Sequence, residues 1–255
     1  MLIITNMNTS NTGKTAIITG ASKGIGRAVA ELFAQNGYKI VINYCKSFEK
    51  ALDLHTVLTQ KGSEAIMCQA DVTQRTQVEN MVLQCLSNFG SIDVLVNNAG
   101  IAQQKLFQDI SDGEWDIMMD VNVKGMFNCC QAVLPHMLKV KRGKIINISS
   151  IWGMVGASCE VHYSTAKAAV IGFTKALAKE LGPSNINVNC IAPGIIATDM
   201  LCSLSEDEKA YLKDMTPISR LGTTIDVAGL SLFLASEQAD FITGQVLSPN
   251  GGFVI

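Results

Sequence analysis

Short apolar runs alternate with helical stretches along almost the whole chain, and this alternation limits the fold more than any other feature. The runs are Lys14–Thr19, Lys39–Asn43, Glu64–Gln69, Asp93–Val96, Lys144–Ile148 and Asn187–Ile191, with Gln245–Leu247 as a seventh. They are near-continuous hydrophobic blocks such as Ala-Ile-Ile, Ile-Val-Ile and Val-Leu-Val, not apolar–polar alternations. Blocks of that kind suit strands covered on both faces, as a parallel sheet requires. Helical patterns fill the gaps at Gly24–Asn36, Phe48–Lys61, Thr76–Phe89, Ser111 to about Lys139, and His162–Leu181. Gly37, Gly62 and Gly90 stand where helix-closing glycines belong, and Ser111 with Glu114 has the form of a capping box. Repeated β–α units imply right-handed crossovers and a doubly wound α/β sheet.

No linker, repeat or low-complexity tract divides the chain, so residues 13–255 read as one domain behind a loose tail, Met1–Thr12. The segment from Pro193 to about Gly222 breaks the alternation and carries a helix start at Ser205-Glu206-Asp207-Glu208. It would lie above the carboxyl ends of the strands, where open α/β sheets bind ligands. The expectation for about 194–222 is a mobile substrate lid.

Composition narrows the function. The chain has 255 residues, 48% of them hydrophobic, enough for one large core. Its net charge of -2 offers no basic surplus for nucleic acid. Apolar runs are too short to span a bilayer, and the first dozen residues lack the positive region of a signal peptide. The eight cysteines form no C-x-x-C pair, which points to reduced thiols in the cytoplasm. His55, His136 and His162 do not cluster with cysteine at ligand spacing, so no metal is expected.

Two constellations carry chemistry. The first is Thr19-Gly20-Ala21-Ser22-Lys23-Gly24-Ile25-Gly26, placed between the first strand and first helix. Glycines there let the backbone approach a pyrophosphate, and the helix N-terminus supplies N–H groups and partial positive charge. Gly13-Lys14-Thr15 echoes a P-loop ending, but Asn8 stands where that motif needs glycine. The second is Tyr163 and Lys167, four residues apart and so on one helix face. A free tyrosine titrates near ~10, too high for proton exchange at neutral pH. A neighbouring ammonium should lower that value. Ser150 lies thirteen positions upstream, ready to hydrogen-bond a carbonyl oxygen.

The spacing T-G-x-x-x-G-x-G, with Asn97-Asn98-Ala99-Gly100, Asn122, Ser150, Tyr163-x-x-x-Lys167 and Pro193-Gly194, resembles the short-chain dehydrogenase/reductase family. The resemblance runs from about Lys14 to Ile255. It implies a single-domain, seven-stranded Rossmann-type sheet with helices on both faces, a nicotinamide dinucleotide as redox partner and, in most members, a homotetramer. The interface it implies lies around Ser111–Lys139 and His162–Leu181. It also implies roles: Tyr163 as proton donor, Lys167 on the nicotinamide ribose, Ser150 on the substrate oxygen, and Asn122 holding a water that refills the proton through Lys167. Along the cofactor it places Gly20, Ser22, Lys23, Gly24, Ile25 and Gly26 in the turn and Asn43, Lys46 and Ser47 after the second strand. Asp71 and Val72 fall on the adenine, followed by Asn98, Ala99 and Gly100, and Pro193, Gly194, Ile196 and Thr198 come near the nicotinamide.

The end of the second strand reads Val41-Ile42-Asn43-Tyr44-Cys45-Lys46-Ser47, with no carboxylate before Glu49. An acid there would bind a ribose 2′-hydroxyl, whereas Lys23 and Lys46 suit a 2′-phosphate, so the expected cofactor is NADP(H). Within the family the chain is most similar to the 3-oxoacyl-[acyl-carrier-protein] reductases of fatty-acid synthesis, carried by Lys144–Ser150, Ala197-Thr198-Asp199-Met200 and the C-terminal glycines. Lys139, Lys141, Arg142 and Lys144 form either a dock for acidic carrier protein or an ordinary solvated loop. Trp152, Glu160 and Met200 are candidate substrate-pocket residues. The residues Ala157 to His162 and the stretch Ser149–Gly153 are also similar to reductases assigned to the 5-aminopentanone modification of elongation factor P. An amine-bearing substrate would give Glu160 a purpose; it reads equally as a solvated loop acid. A small-ketone or hydroxysteroid dehydrogenase, and a cofactor-binding regulator without catalysis, complete the alternatives.

Overall fold

In the computed structural model the described residues are 13–198 and 205–255; the expected tail, and Met200 within the expected lid, lie outside them. The strands are β1 (Thr15–Ile18), β2 (Lys39–Tyr44), β3 (Ala65–Gln69), β4 (Val94–Asn97), β5 (Gly143–Ile148), β6 (Ile186–Ile191) and β7 (Val246–Leu247). They form one seven-stranded parallel sheet in the order β3-β2-β1-β4-β5-β6-β7. The expected doubly wound α/β fold is therefore present. Strand order reverses between β1 and β4, so the two loops leaving their carboxyl ends part and leave a crevice.

Side chains along each central strand alternate between two cores. Ala16, Ile18, Ile40, Ile42, Val94 and Val96 enter one; Ile17, Val41, Leu95, Ile145 and Val188 enter the other. Each fully buried aliphatic side chain contributes roughly 1.5–3 kcal/mol of transfer free energy, which both faces of the sheet collect. The first core is roofed by α1 (Gly24–Gln35), α2 (Phe48–Gln60) and α9 (Thr224–Ala235). Beneath the second lie α3 (Arg75–Phe89), α5 (Gly125–Val140) and α7 (Val161–Leu181).

Two features depart from the sequence expectation. Helix α9, packed on α1, was not anticipated, although Thr223 and Asp226 form a reciprocal capping box at its start. The long helix expected over Ser111–Lys139 begins as anticipated, with Ser111 and Glu114 in a capping box on α4 (Asp112–Met119). It then widens into a π-turn at Asp120–Lys124 before continuing as α5. Such insertions free backbone groups from the regular ladder and recur at functional sites. Asn122 lies in this one.

Candidate active site

The glycine turn leaves β1 and wraps the first turn of α1. Thr19 Oγ1 accepts from the backbone N–H groups of Asn98 and Ala99, each at 2.9 Å, and so ties the end of β1 to the loop after β4. Asn98 Nδ2 returns bonds to the carbonyls of Thr19 (2.9 Å) and Gly20 (3.2 Å). A β-carbon on Gly26 would fall 2.5 Å from both Asn98 Nδ2 and the Gly20 carbonyl, so nothing larger fits. This close approach brings the α1 N-terminus down onto the turn, where its N–H groups are available to an anion. Ser22 is buried, while Lys23 stands exposed at the N-cap of α1.

Asn43 does a different job from the cofactor contact expected of it. Its side chain is buried: Oδ1 accepts from the Gly20 N–H at 3.2 Å, and Nδ2 donates to the carbonyls of Cys68 and Ala70 at 3.3 and 3.0 Å. With its polar atoms engaged inward, it braces the turn from behind. Lys46 is exposed just past β2, and Ser47 is the N-cap of α2 with no side-chain capping bond. Ser22, Lys23 and Gly24 open onto a groove of about 400 Å³ that also includes Glu49 and Asp53. Arg27, on the same groove, is held by Asp53 at 2.6 Å and Glu31 at 2.9 Å. The Asp71 carboxylate is partly committed too, accepting from Thr73 N and Oγ1 at 2.9 and 2.8 Å. Val72 packs where a β-carbon on Gly125 would stand.

Ser150, Tyr163, Lys167 and Asn122 gather beside the crevice. Ser150 follows β5, is buried, and takes the Trp152 N–H on Oγ at 3.2 Å. Tyr163 is partly exposed, in the first turn of α7, with Ser150 near enough to its phenol to favour the phenolate. Lys167, one turn on, is buried, with Nζ donating to the Ile148 carbonyl at 3.0 Å and 5.6 Å from the Tyr163 ring centroid. Asn122 is buried, with Nδ2 donating to the carbonyls of Ile101 and Met118, both at 3.0 Å. Gly100 threads between these groups. A β-carbon there would lie 2.7 Å from Asn122 Oδ1 and 3.4 Å from Lys167 Nζ.

In the protein alone, burial dominates the titration of both groups. Burial pushes Tyr163 up to about 12, against a smaller lowering by Ser150; Glu160 adds to the rise. Burial brings Lys167 down to about 8. Desolvation disfavours the charged form of each, raising the phenol and lowering the ammonium, whose hydrogen bond goes to the Ile148 carbonyl.

Pro193 accepts from Ile151 N–H on its carbonyl, and a β-carbon on Gly194 would meet the Asn250 backbone at 2.7 Å. Ile196 bridges to Gly222, and Thr198 lies beside Gly24, so residues 193–198 arch over the glycine turn. Helix α8 (Glu206–Asp214) starts with the capping box Ser205–Glu208 where the sequence placed a helix start. Just after Ser150, α6 (Trp152–Val155) turns the Trp152 ring edge-on to Phe253, centroids 5.9 Å apart. Glu160 is half-buried, raised by burial, and accepts from Gln104 Nε2 at 3.2 Å, which makes it a tethered group and not a freely solvated acid. His162 is wholly buried against Gln103.

Two members of the basic cluster are engaged with acids. Lys144 is buried and paired with Asp240 at 2.6 Å, and Arg142 is paired with Asp93 at 2.7 Å. Both lie at the amino end of β5, while Ser150 lies past its carboxyl end, roughly 20 Å away at ~3.3 Å per residue. Among the described residues no His, Cys, Asp and Glu cluster could hold a metal ion, and no helix is long and apolar enough to cross a membrane.

A family profile described as short chain dehydrogenase matches residues 14–209. The chain is 44% identical to the 3-oxoacyl-[acyl-carrier-protein] reductase FabG of Staphylococcus epidermidis, over 94% of this chain and 98% of that protein. The reductase of the same name from Staphylococcus aureus is 44% identical over 94% and 97%. That of Chlamydia muridarum is 43% identical over 96% and 99%.

Proposed function

The chain belongs to the short-chain dehydrogenase family, and from that premise we propose that it reduces the ketone of a 3-oxoacyl thioester carried on acyl carrier protein, using NADP(H). The observation that carries this reading is the placing of Tyr163 beside Lys167, with Nζ 5.6 Å from its ring, next to Ser150 and Asn122 at the rim of the crevice where β1 and β4 part. Identity to carrier-protein reductases over nearly the whole chain supports the substrate.

The residues present fit a dinucleotide. The space kept clear by Gly26 lets a pyrophosphate reach the α1 N-terminus, with Ser22 and Ile25 beside it. Exposed Lys23 and Lys46, with Ser47, would take a 2′-phosphate; Asp71 and Val72 would meet the adenine. Ala99 and Gly100 would line the path inward, and Pro193, Gly194, Ile196 and Thr198 would close over it. When bound, the dinucleotide supplies hydride to the carbonyl carbon. Tyr163 gives its phenolic proton to the carbonyl oxygen, a step its neutral form at physiological pH favours. Ser150 hydrogen-bonds the same oxygen as negative charge develops there. Lys167 moves between charged and neutral forms near pH 8, so it accepts and returns a proton readily. Asn122 would hold the water that recharges it.

A homotetramer is supported by the apolar side chains exposed along α4 and α5, Ile117, Phe127 and Leu138 among them. Free thiols at the described cysteines fit a reducing cytoplasm. A second reading rests on Glu160, whose half-buried carboxylate near Tyr163 would welcome an amine, as on 5-aminopentanone-modified elongation factor P. The deciding assay follows NADPH and NADH consumption with acetoacetyl thioesters and with the modified factor. Turnover of the thioester with preference for NADPH is expected. Turnover of the modified factor alone would transfer the assignment to the second reading.

A further inference from the structure

Tyr163 is the third residue of α7, in the turn where helices lack intrahelical donors' partners and open most readily. Helices α4, α8 and α9 all begin with a reciprocal capping box. Helix α7, like α1, α2 and α3, has no such box: its N-cap, Glu160, makes no side-chain capping bond. The helix that presents the phenol is therefore held at its start by something else.

That hold comes from the loop after β4. Gln103 Oε1 meets His162 Nε2 at 2.9 Å, Gln104 Nε2 donates to Glu160 Oε1 at 3.2 Å, and Lys105 N–H donates to the Cys159 carbonyl at 2.7 Å. Three successive loop residues thus stitch onto residues 159–162. Cys159 adopts φ +62, a left-handed conformation uncommon for a residue with a β-carbon, and from it the carbonyl reaches Lys105. The stitch is anchored in turn. Glu114 accepts from Gln103 Nε2 at 2.7 Å and from Lys105 Nζ at 2.7 and 2.8 Å while it closes the α4 capping box. Because the Gln103 amide nitrogen faces that carboxylate, its oxygen must face His162, and His162 Nε2 carries the proton. His162 is 0% exposed, and its Nδ1 has no hydrogen-bond partner among the described residues, so the Gln103 bond is the one that serves the ring there.

We propose that Gln103 and His162 are positioning residues that stand in for the missing cap and fix Tyr163 against Ser150. The inference rests on the reading of Tyr163 as proton donor given above. It is tested in the full-length protein with acetoacetyl-CoA and NADPH, using His162→Leu, Gln103→Leu and the donor-preserving His162→Gln. Both leucine variants should lose about tenfold in kcat with NADPH affinity within twofold of wild type, and His162→Gln should recover most of the loss. Hydrogen exchange at the amides of residues 164–167, the first that are hydrogen-bonded in α7, should quicken about tenfold in the leucine variants, with residues 170–178 unchanged. Wild-type kcat and exchange in Gln103→Leu would overturn the proposal. So would a glutamine variant as impaired as the leucine one, or a kcat loss matched by weaker NADPH binding and faster exchange throughout α7. Exchange is measured without substrate, so it decides the positioning role even if the wild-type protein turns over no thioester, an outcome that would sink only the substrate reading.

Discussion

Replacing Lys167 by methionine should make the cofactor-free protein more stable at neutral pH while abolishing turnover. The ammonium is buried with a carbonyl at 3.0 Å as its hydrogen-bond partner, and burial lowers it from 10.5 to about 8. At ~1.4 kcal/mol per pH unit, that gap is a folding penalty of roughly 3 kcal/mol wherever the unfolded chain holds the proton more tightly. The sign follows from proton counting. The folded pKa lies below the unfolded one, so between about 8 and 10.5 the unfolded state binds more protons and stability rises with pH. Below pH 8 the penalty is present in full. Methionine removes it but forfeits the bond to Ile148, worth about 1 kcal/mol. The net gain at pH 7 is then about 2 kcal/mol, or ~4–8 °C in Tm for a chain of this size. Thermal melts of wild type and Lys167→Met at pH 7, 8.5 and 10.5 check this. The advantage should shrink across the series and vanish or reverse at the top. A variant less stable at pH 7, or a difference independent of pH, would refute the argument that this amine is held against its solvation.

Two further outcomes are expected. Tyr163→Phe should lower kcat by about 10³-fold or more while NADPH affinity, followed by fluorescence titration, stays within threefold. Asn43→Leu should strip the side-chain partner from the Gly20 N–H and the Ala70 carbonyl at about 1 kcal/mol each, lower Tm by ~4–8 °C and weaken NADPH binding by loosening the turn; an unchanged melting curve would contradict its bracing role.

Much of the architecture was legible because a parallel sheet buried on both faces writes itself as hydrophobic blocks, and each of the seven strands lies within about a residue of its block at either end. Helix α9 escaped because Thr224–Ala235 is apolar nearly all round, with no amphipathic rhythm; only the Thr223–Asp226 pair marked it. The π-turn carries no local signal, since its residues read as ordinary helix. Spacing placed Tyr163 beside Lys167 correctly, but the direction of their titrations depends on burial and on where Nζ points, which spacing does not encode. The contacts of Asn43 and Lys144 were hidden for a related reason. A polar residue near a motif can face inward, as Asn43 does, and a cation can already be neutralised by an acid distant in sequence, as Lys144 is by Asp240, 96 positions away. The stitch between Gln103–Lys105 and Cys159–His162 joins segments more than fifty positions apart and was invisible for the same cause.

The ring of Phe253 is the backing plate of Trp152, and Asn250 crowds Gly194 from the same side. Anything fused after Ile255 therefore begins two residues from the ring that backs Trp152. A handle placed there that changes kcat or KM while leaving Tm unchanged would mark Trp152 as lining the substrate pocket, the role expected of it.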